Sequence, residues 1–358
     1  MIRRVGRLLQ GAVVSITVGF FAGTASTRVQ AQDAPHATTN GKLRVFFVDV
    51  EGGQATLFVS PSGESLLIDA GWPGNDRRDA NRIVAAAKEA GLKKIDYLLI
   101  THYHDDHVGG VPQLVAQIPV GTFIDHGPNR ELDHGVTEHG YAEYQRVLAA
   151  TGAHHIVVRP GDTLPIHGLD VFVVSADGKL ISGPVKGGGQ ANSFCKGSET
   201  RPADETENGR SLGVLLTFGK LKVLDLGDLT WEKERELMCP VNRLGRIDID
   251  VVSHHGWYQS NSPALIDAIR PRVAIMDNGA KKGGSIPTLK TITNTSALER
   301  LWELHFSEEG GTQFNTAEKY IANPPGEDGH SLEVSADHDG SFEVHNSRTG
   351  FTERYSAR

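Results

Sequence analysis

The sequence predicts an α+β fold in which strand-rich halves form a sandwich of sheets covered by helices. Apolar runs typical of buried strands occur in both halves of the 358-residue chain. Short turn sequences separate several pairs of these runs, which predicts hairpins, and amphipathic segments between the strands predict helices. The sequence has no internal repeat and no clear linker after residue 41. We therefore expect one domain over residues 42–358, with residues 296–358 as a C-terminal extension.

The N-terminal half of this domain begins with a buried strand and a hairpin. KLRVFFVDV (42–50) predicts the strand, and ATLFVSPSGESLLIDAG (55–71) predicts the hairpin, which turns at Pro61-Ser62-Gly63. The next predicted elements, in order, are a helix ending at Gly91, a strand over 94–102, a helix over 111–118, a strand over 121–125, a polar loop over 126–140, a helix over 142–152 and a strand-rich segment over 154–176.

The C-terminal half begins with a long polar segment over residues 178–210, rich in Gly and Ser, which predicts a loop. Loops of this length are uncommon unless they are functional. The elements predicted after it, in order, are a hairpin over 211–228 turning at Gly219-Lys220, a helix from Trp231, a strand over 247–256, a helix over 263–269, a strand over 272–279 and a hairpin over 331–347 turning at Asp339-Gly340.

Residues 1–31 have the features of a secretory signal peptide. Three arginines among the first seven residues precede an uncharged apolar run, and Val29 and Ala31 occupy the two recognition positions before a cleavage site. A membrane anchor is the alternative, but the run is shorter than the ~20 apolar residues that a span needs. We expect a periplasmic or secreted protein whose mature chain has no membrane span.

The charge of the chain bears on its partners. The formal net charge is −8, and removal of the signal peptide, which carries four arginines and no acidic residue, would make it −12. Phosphate backbones bind basic surfaces, so this composition carries no strong nucleic-acid signature. We expect a small-molecule or phosphoester substrate, and the sequence indicates no particular oligomeric state.

The chain contains only two cysteines, Cys195 and Cys239. An exported protein meets an oxidising compartment, which makes a Cys195–Cys239 disulfide one hypothesis. Two buried free thiols are the other, and the sequence favours neither. The cysteines do not have the spacing of a zinc ribbon.

A histidine cluster directly after a predicted strand is the clearest chemical signal. In LLITHYHDDHVGG (98–110), His102 and His104 alternate along extended backbone, so their side chains point to the same side. Asp106 and His107 follow where the chain turns into a helix, and they can face the same cavity. Imidazole and carboxylate groups suit zinc, and also manganese or iron. The alternative is a solvated, histidine-rich loop, but the position between a buried strand and a Gly-Gly pair favours a metal site.

THYHDDHVGG resembles the signature of the metallo-β-lactamase superfamily, whose fold is a four-layer αβ/βα sandwich with a metal centre at one edge. LLIDAG (66–71), VLDLGDLT (223–230) and DVVSHHGW (250–257) resemble further motifs of the superfamily, in the expected order. DVEGGQATLFVSPSGESLLIDAG (49–71) and the HHG triplet resemble a narrower branch, which contains the hydrolase domain of competence (DNA-uptake, ComEC-type) proteins and choline-phosphate esterases.

The resemblance implies a site for two divalent cations. The implied ligands are His102 and His104 for the first metal, Asp106, His107 and His255 for the second, and Asp228 between the two. His254 would be the neighbour of His255 or a substrate contact, although the order of these two could be reversed.

The resemblance also implies roles beyond metal binding. Asp69 would support the metal site from behind. Asp106 and Asp228 would be the catalytic residues, which orient a hydroxide or accept a proton. The metals are expected to be zinc, with manganese or iron as alternatives.

One position departs from the superfamily pattern. The superfamily usually supplies a third histidine to the first metal, but this chain has no histidine over residues 168–253. The residues that could replace it are Asn208, Glu207 and three loop histidines, His126, His134 and His139. For these three histidines a solvated position in the loop is the favoured interpretation.

These features together predict an exported metal-dependent hydrolase. A divalent metal lowers the pKa of bound water from ~15.7 to about 7, so a hydroxide held between two cations would be available at neutral pH. By resemblance to the branch, the substrate would be a phosphoester or phosphodiester. The alternatives are a lactone, lactam or other ester hydrolase and, in another class, a redox protein or a non-catalytic, metal-stabilised binding domain.

Overall fold

Two nine-stranded sheets form the framework of the chain in the computed structural model, which describes residues 40–131 and 137–358. The strands are β1 (Leu43–Phe47), β2 (Thr56–Val59), β3 (Ser65–Ile68), β4 (Ile95–Leu99), β5 (Val120–Asp125), β6 (His154–Val157), β7 (Thr163–Leu164), β8 (Asp170–Ala176), β9 (Lys179–Leu180), β10 (Gln190–Ala191), β11 (Gly213–Phe218), β12 (Leu221–Asp225), β13 (Val241–Asn242), β14 (Ile249–Val251), β15 (Val273–Met276), β16 (Arg300–His305), β17 (Ile321–Asn323), β18 (Leu332–Ala336), β19 (Phe342–Asn346) and β20 (Thr352–Tyr355). The helices are α1 (Arg78–Glu89), α2 (Asp105–Val108), α3 (Val111–Val115), α4 (Glu138–Thr151), α5 (Trp231–Met238), α6 (Pro263–Ile269), α7 (Ile286–Asn294) and α8 (Gly311–Phe314). The predicted signal peptide and His134 lie outside the described residues.

The first sheet combines strands from both ends of the described chain, whereas the second is built from strands between β7 and β17. The first sheet has the order β20-β19-β18-β1-β2-β3-β4-β5-β6, and β3 to β6 run parallel. The second sheet has the order β17-β16-β15-β14-β12-β11-β8-β7, with β9 paired to β8, and its strands β12, β14, β15, β16 and β17 run parallel. The short strands β10 and β13 form a separate pair.

The two sheets pack face to face, and helices cover their outer faces. In β1, Leu43, Val45 and Phe47 belong to the core between the sheets, whereas Phe46 belongs to the core under α1, α3 and α4. Because successive side chains of a strand point to opposite faces, strands of a sheet that is covered on both sides are apolar at nearly every position. The second sheet packs on α5, α6 and α7 in the same way. The predicted four-layer α+β sandwich is confirmed.

The strands after residue 296 belong to both sheets. β16 and β17 lie at one edge of the second sheet, and β18 to β20 extend the first sheet beyond β1. Trp302 of β16 is fully buried in the core between the sheets, and its indole N–H donates a hydrogen bond to the Tyr355 hydroxyl (3.0 Å). Residues 296–358 therefore contribute to the same core as the rest of the domain.

The two predicted loops are shorter than the sequence indicates. Helix α4 begins at Glu138, inside the predicted loop 126–140, and the segment 178–210 contains β9 and β10. This segment is also tied covalently, because a disulfide joins Cys195 to Cys239 at the end of α5. Among the described residues, no helix has the length and apolar character needed to cross a membrane.

Candidate metal centre

The carboxyl ends of four strands meet at one edge of the sandwich and carry the polar side chains of the site. Asp69 follows β3 and the HxHxDH segment follows β4, which runs parallel to β3. Asp228 follows β12, and the HHG triplet follows the parallel strand β14. Because parallel strands end at the same edge of a sheet, residues distant in sequence converge here.

His102, His104 and Asp228 form the first group of candidate metal ligands, with one ligand atom from each within 4.8 Å of the others. His102 Nε2 lies 3.1 Å from His104 Nδ1 and 3.8 Å from Asp228 Oδ2. His102 and Asp228 are buried, and His104 is half-buried. The alternation along the strand end therefore brings both imidazoles to the same carboxylate oxygen.

The second group consists of Asp106, His107, Asp228 and His255, again within 4.8 Å of one another. His107 Nε2 lies 3.2 Å from His255 Nε2, and His255 Nε2 lies 3.1 Å from Asp106 Oδ2. His107 Nε2 is also 3.3 Å from Asp228 Oδ1. All four residues are buried.

Asp228 belongs to both groups, and it divides its two oxygens between them. Oδ2 lies on the side of His102, whereas Oδ1 lies on the side of His107 and His255. The turn that carries Asp228 passes close to the strand end of the first sheet. Gly227 has a left-handed φ of 54°, and a Cβ there would lie 2.8 Å from Thr101 Cβ. Only glycine fits both the conformation and the space.

Asp69 holds His107 from the side opposite the ligands. Its Oδ2 lies 2.7 Å from His107 Nδ1 and accepts a hydrogen bond from the Thr101 hydroxyl (2.6 Å), and its Oδ1 accepts one from the Thr101 backbone N–H (2.8 Å). A carboxylate at Nδ1 directs the imidazole so that Nε2 faces the ligand group. The structure thus places Asp69 where the sequence predicts a supporting residue.

Three further side chains approach the ligands and were missed by the sequence interpretation. Glu131 Oε2 lies 3.2 Å from His104 Nε2, and Asp277 Oδ1 lies 3.4 Å from His255 Nδ1. The Lys282 ammonium contacts the Asp106 carboxylate. None of the three belongs to a recognisable motif: Glu131 lies in the loop after β5, and Asp277 and Lys282 lie in the loop between β15 and α7.

The other candidate residues have more varied positions. His254 Nε2 lies 3.4 Å from Asp228 Oδ2, so both histidines of the HHG triplet approach the same aspartate. His126 is buried against Tyr103, its Nε2 lies 3.0 Å from Glu207 Oε2, and neither residue belongs to the two candidate ligand groups. A solvated position for His126 is therefore wrong.

Asn208 and His139 complete the set of possible replacements for the third histidine. Asn208 is buried, and its Oδ1 has no hydrogen-bond partner among the described residues. His139 is exposed on α4. Neither belongs to the two ligand groups, and Asp228 is the third member of the first group.

Burial and charge oppose each other throughout the centre. Burial alone would raise the pKa of Asp106, but Lys282 and His107 hold this pKa well below its usual range. The pKa of Asp228 is likewise low, because nearby imidazoles outweigh its burial. Burial would lower the pKa of His107, yet Asp228, Asp106 and Asp69 raise it well above its usual value. For His102 the effect of burial is larger than that of the nearby carboxylates, so its pKa is well below the usual value. Two buried carboxylates are therefore held ionised by surrounding positive charge.

The donor set fits a pair of divalent cations. Imidazole nitrogens and carboxylate oxygens are the ligands of zinc, manganese and iron sites. The Nε2 atoms of His107 and His255 lie 3.2 Å apart, beside the buried carboxylates of Asp106 and Asp228. The donor atoms of these residues therefore converge on one point. A buried carboxylate destabilises the folded state unless it is paired with a positive charge or binds a metal. A cation shared by the two carboxylates would meet this requirement. The cluster is a dinuclear metal-binding centre.

A fold of two facing sheets with this centre at the strand ends defines the class of protein. The model of the metallo-beta-lactamase superfamily matches residues 48–275. The chain belongs to this superfamily, whose members are typically metal-dependent hydrolases.

Individual relatives share limited sequence identity with this chain, and two of the three described below are much longer than it. The chain is 25% identical over 256 residues to Recombination protein 2 of Haemophilus influenzae, covering 71% of this chain and 26% of that protein. It is 23% identical over 280 residues to competence protein ComA of Neisseria gonorrhoeae, covering 78% and 33%. It is 35% identical over 107 residues to a hydroxyacylglutathione hydrolase of Stenotrophomonas maltophilia, covering 30% and 37%. The chain thus spans between about a quarter and just over a third of these relatives. The predicted resemblance to competence proteins is confirmed at this level.

Proposed function

We propose that this protein is an exported hydrolase of phosphoesters or phosphodiesters that works with two divalent cations, zinc by preference. The observation that carries the proposal is Asp228, whose two oxygens face two separate ligand groups. A carboxylate that bridges two cations fixes them close enough to act on one substrate. The order of the ligand residues along four strand ends supports the same conclusion.

The cations, when bound, would supply an acidified water as nucleophile and positive charge for the oxygens of the substrate. The protein's own residues would hold and orient them. His102, His104 and Asp228 would bind one cation, and Asp106, His107, His255 and Asp228 would bind the other. Asp69 and Glu131 would fix the orientation of His107 and His104 through hydrogen bonds at the ring nitrogens that do not face the ligand group.

Asp106 and Asp228 would also be the acid–base groups of the reaction. Both are buried beside the point where the donors converge, and positive neighbours keep both ionised. An ionised carboxylate can accept a hydrogen bond from the attacking water or take up its proton. His254 would be a substrate contact; in support, its Nε2 lies 3.4 Å from Asp228 Oδ2.

A carboxylic ester or thioester is the second candidate substrate. The specific observation in its favour is the 35% identity to a protein named hydroxyacylglutathione hydrolase, although this covers 107 residues only. The competence-protein relatives cover more of the chain. We therefore rank phosphoesters first, and lactones, lactams and other esters second.

The test of the proposed reaction is a substrate panel on the full chain loaded with zinc or with manganese. The panel consists of bis-p-nitrophenyl phosphate, p-nitrophenyl phosphate, a hydroxyacyl thioester, a lactone and nitrocefin. We expect turnover of a phosphoester that is lost in His107→Ala and retained in His139→Ala, a matched exposed histidine. Turnover of only the thioester or the lactone would replace the phosphoester proposal, and no turnover of any compound would refute a hydrolase.

Export is the second part of the proposal. A disulfide between Cys195 and Cys239 supports it, because such bonds persist in oxidising compartments. Expression of the full chain in a bacterium with an intact secretion system tests it. We expect an extracytoplasmic protein whose first residue, by mass spectrometry, is Gln32. Retention of residues 1–31 in the cytoplasm would contradict export.

A further inference from the structure

Lys282 places a positive charge beside the metal-binding centre. It belongs to neither group of candidate metal ligands. Its ammonium contacts the carboxylate of Asp106, which comes 176 positions earlier in the chain. The ammonium also lies 4.7 Å from the ring centre of Trp72. The side chain is 37% exposed, so it lies at the boundary between the buried ligands and solvent.

The loop that carries Lys282 is locked against the centre by backbone contacts. Gly279 N donates to the Lys282 carbonyl (2.9 Å), and Gly284 N donates to the His255 carbonyl (2.8 Å). Gly283 has a left-handed φ of 79°, and a Cβ there would lie 2.0 Å from the His255 carbonyl oxygen. The loop can approach the HHG triplet this closely only with glycine at that position. The direction of Lys282 is therefore set by the same contacts that position a metal ligand.

The neighbouring lysine shows that this placement is particular to residue 282. The side chain of Lys281 is 81% exposed, and its ammonium lies 3.9 Å from Glu308, away from the candidate ligands. Two adjacent lysines thus have opposite environments. One is held against Trp72 and Asp106, and the other faces solvent.

We propose that Lys282 is a specificity-determining residue that binds the anionic phosphoryl group of the substrate. This proposal rests on the proposed function. When Asp106 serves as a metal ligand, its carboxylate is no longer a free counter-ion for the ammonium. A phosphoryl oxygen beside the ligands would then offer the ammonium a negatively charged partner. The ammonium is a compact charge with three donors, which suits phosphate, and the Trp72 ring restricts the direction of its stem.

The experiment compares Lys282→Met, which keeps the apolar stem and removes the charge, with Lys281→Met as the matched control. Binding of inorganic phosphate to the zinc-loaded full chain is measured by calorimetry, together with the metal content of each variant. We expect Lys282→Met to weaken phosphate binding by about 10- to 100-fold, as for loss of a hydrogen bond to a charged group. Lys281→Met should change it less than twofold, and metal content should be the same in all three proteins.

Two substrates extend this comparison. Lys282→Met should raise the KM for p-nitrophenyl phosphate and leave the KM for the neutral p-nitrophenyl acetate unchanged, and Lys282→Arg should restore part of the phosphate affinity. Unchanged phosphate affinity in Lys282→Met, equal effects on both substrates, or loss of metal would each overturn the proposal. Phosphate binding needs no turnover. A wild-type chain that binds phosphate through Lys282 but hydrolyses nothing would therefore refute the proposed function and reduce the role of Lys282 to phosphate binding without catalysis.

Discussion

Glu303 offers a quantitative test of the energetics of the core. This carboxyl group in β16 has no exposed surface. Its Oε2 accepts a hydrogen bond from the Thr316 backbone N–H (2.7 Å), whereas Oε1 has no partner among the described residues. Burial raises the pKa of Glu303 from 4.5 to about 8, and the single hydrogen bond offsets only part of this effect. We therefore expect the folded protein to keep this proton at neutral pH.

The retained proton makes stability depend on pH in a known direction. The unfolded chain releases the proton near pH 4.5 and the folded chain only near pH 8, so Glu303 lowers the free energy of unfolding as pH rises between these values. The loss is about 1.4 kcal/mol for each pH unit, or about 3 kcal/mol between pH 4.5 and pH 7. Glu303→Gln keeps the shape of the protonated acid and removes this loss.

Urea denaturation of Glu303→Gln and of the wild type at pH 4.5 and pH 7 measures the effect. We expect the variant to gain about 3 kcal/mol relative to the wild type between the two pH values. Glu318→Gln, at a side chain that is 74% exposed, is the control and should gain less than about 0.5 kcal/mol. A stability difference between Glu303→Gln and the wild type that is equal at both pH values would refute the reasoning.

Three other substitutions test the supporting structure. Asp69→Asn should weaken zinc binding by about 10- to 100-fold, because the carboxylate that orients His107 is lost; an unchanged affinity in competition with a chelator would exclude that role. Replacement of both Cys195 and Cys239 by Ala should lower the free energy of unfolding by up to about 4 kcal/mol, because the disulfide closes a loop of 44 residues. Equal stability of this variant and the oxidised wild type in urea would show that the bond does not stabilise the fold. Trp302→Ala should cost about 3–5 kcal/mol in the same assay, since the indole is fully buried between the sheets; a cost below about 1 kcal/mol would show that the C-terminal strands are dispensable for the core.

The sequence predicts most of the fold because its signals are local. The turn at Pro61-Ser62-Gly63 lies between two apolar runs, and β2 and β3 form where these runs predict a hairpin. The strand before His102 is similarly predicted by a short apolar run. The start of α4 at Glu138 was placed too late, because the polar residues before Ala142 carry no apolar periodicity.

The candidate ligand residues were also accessible to sequence reasoning, since four of them lie in one six-residue segment. Residues that depend on contacts between distant loops were not. Glu131 lies 27 positions after His104, and Lys282 lies 176 positions after Asp106. A single charged residue in a loop has no sequence pattern that would reveal such a contact. The engagement of His126 with Glu207 is a similar case, because burial of this pair depends on how the loop packs against Tyr103.

If Asp228 joins two cation sites, its loss should empty both of them, and the metal content of the purified full chain tests this most directly. After loading with zinc and removal of excess metal, mass spectrometry should find two ions per wild-type chain. Asp228→Ala should retain fewer than one, because both ligand groups lose a member, whereas His102→Ala should retain about one. A wild-type chain that binds no zinc, manganese or iron, or an Asp228→Ala variant that still binds two ions, would contradict the account.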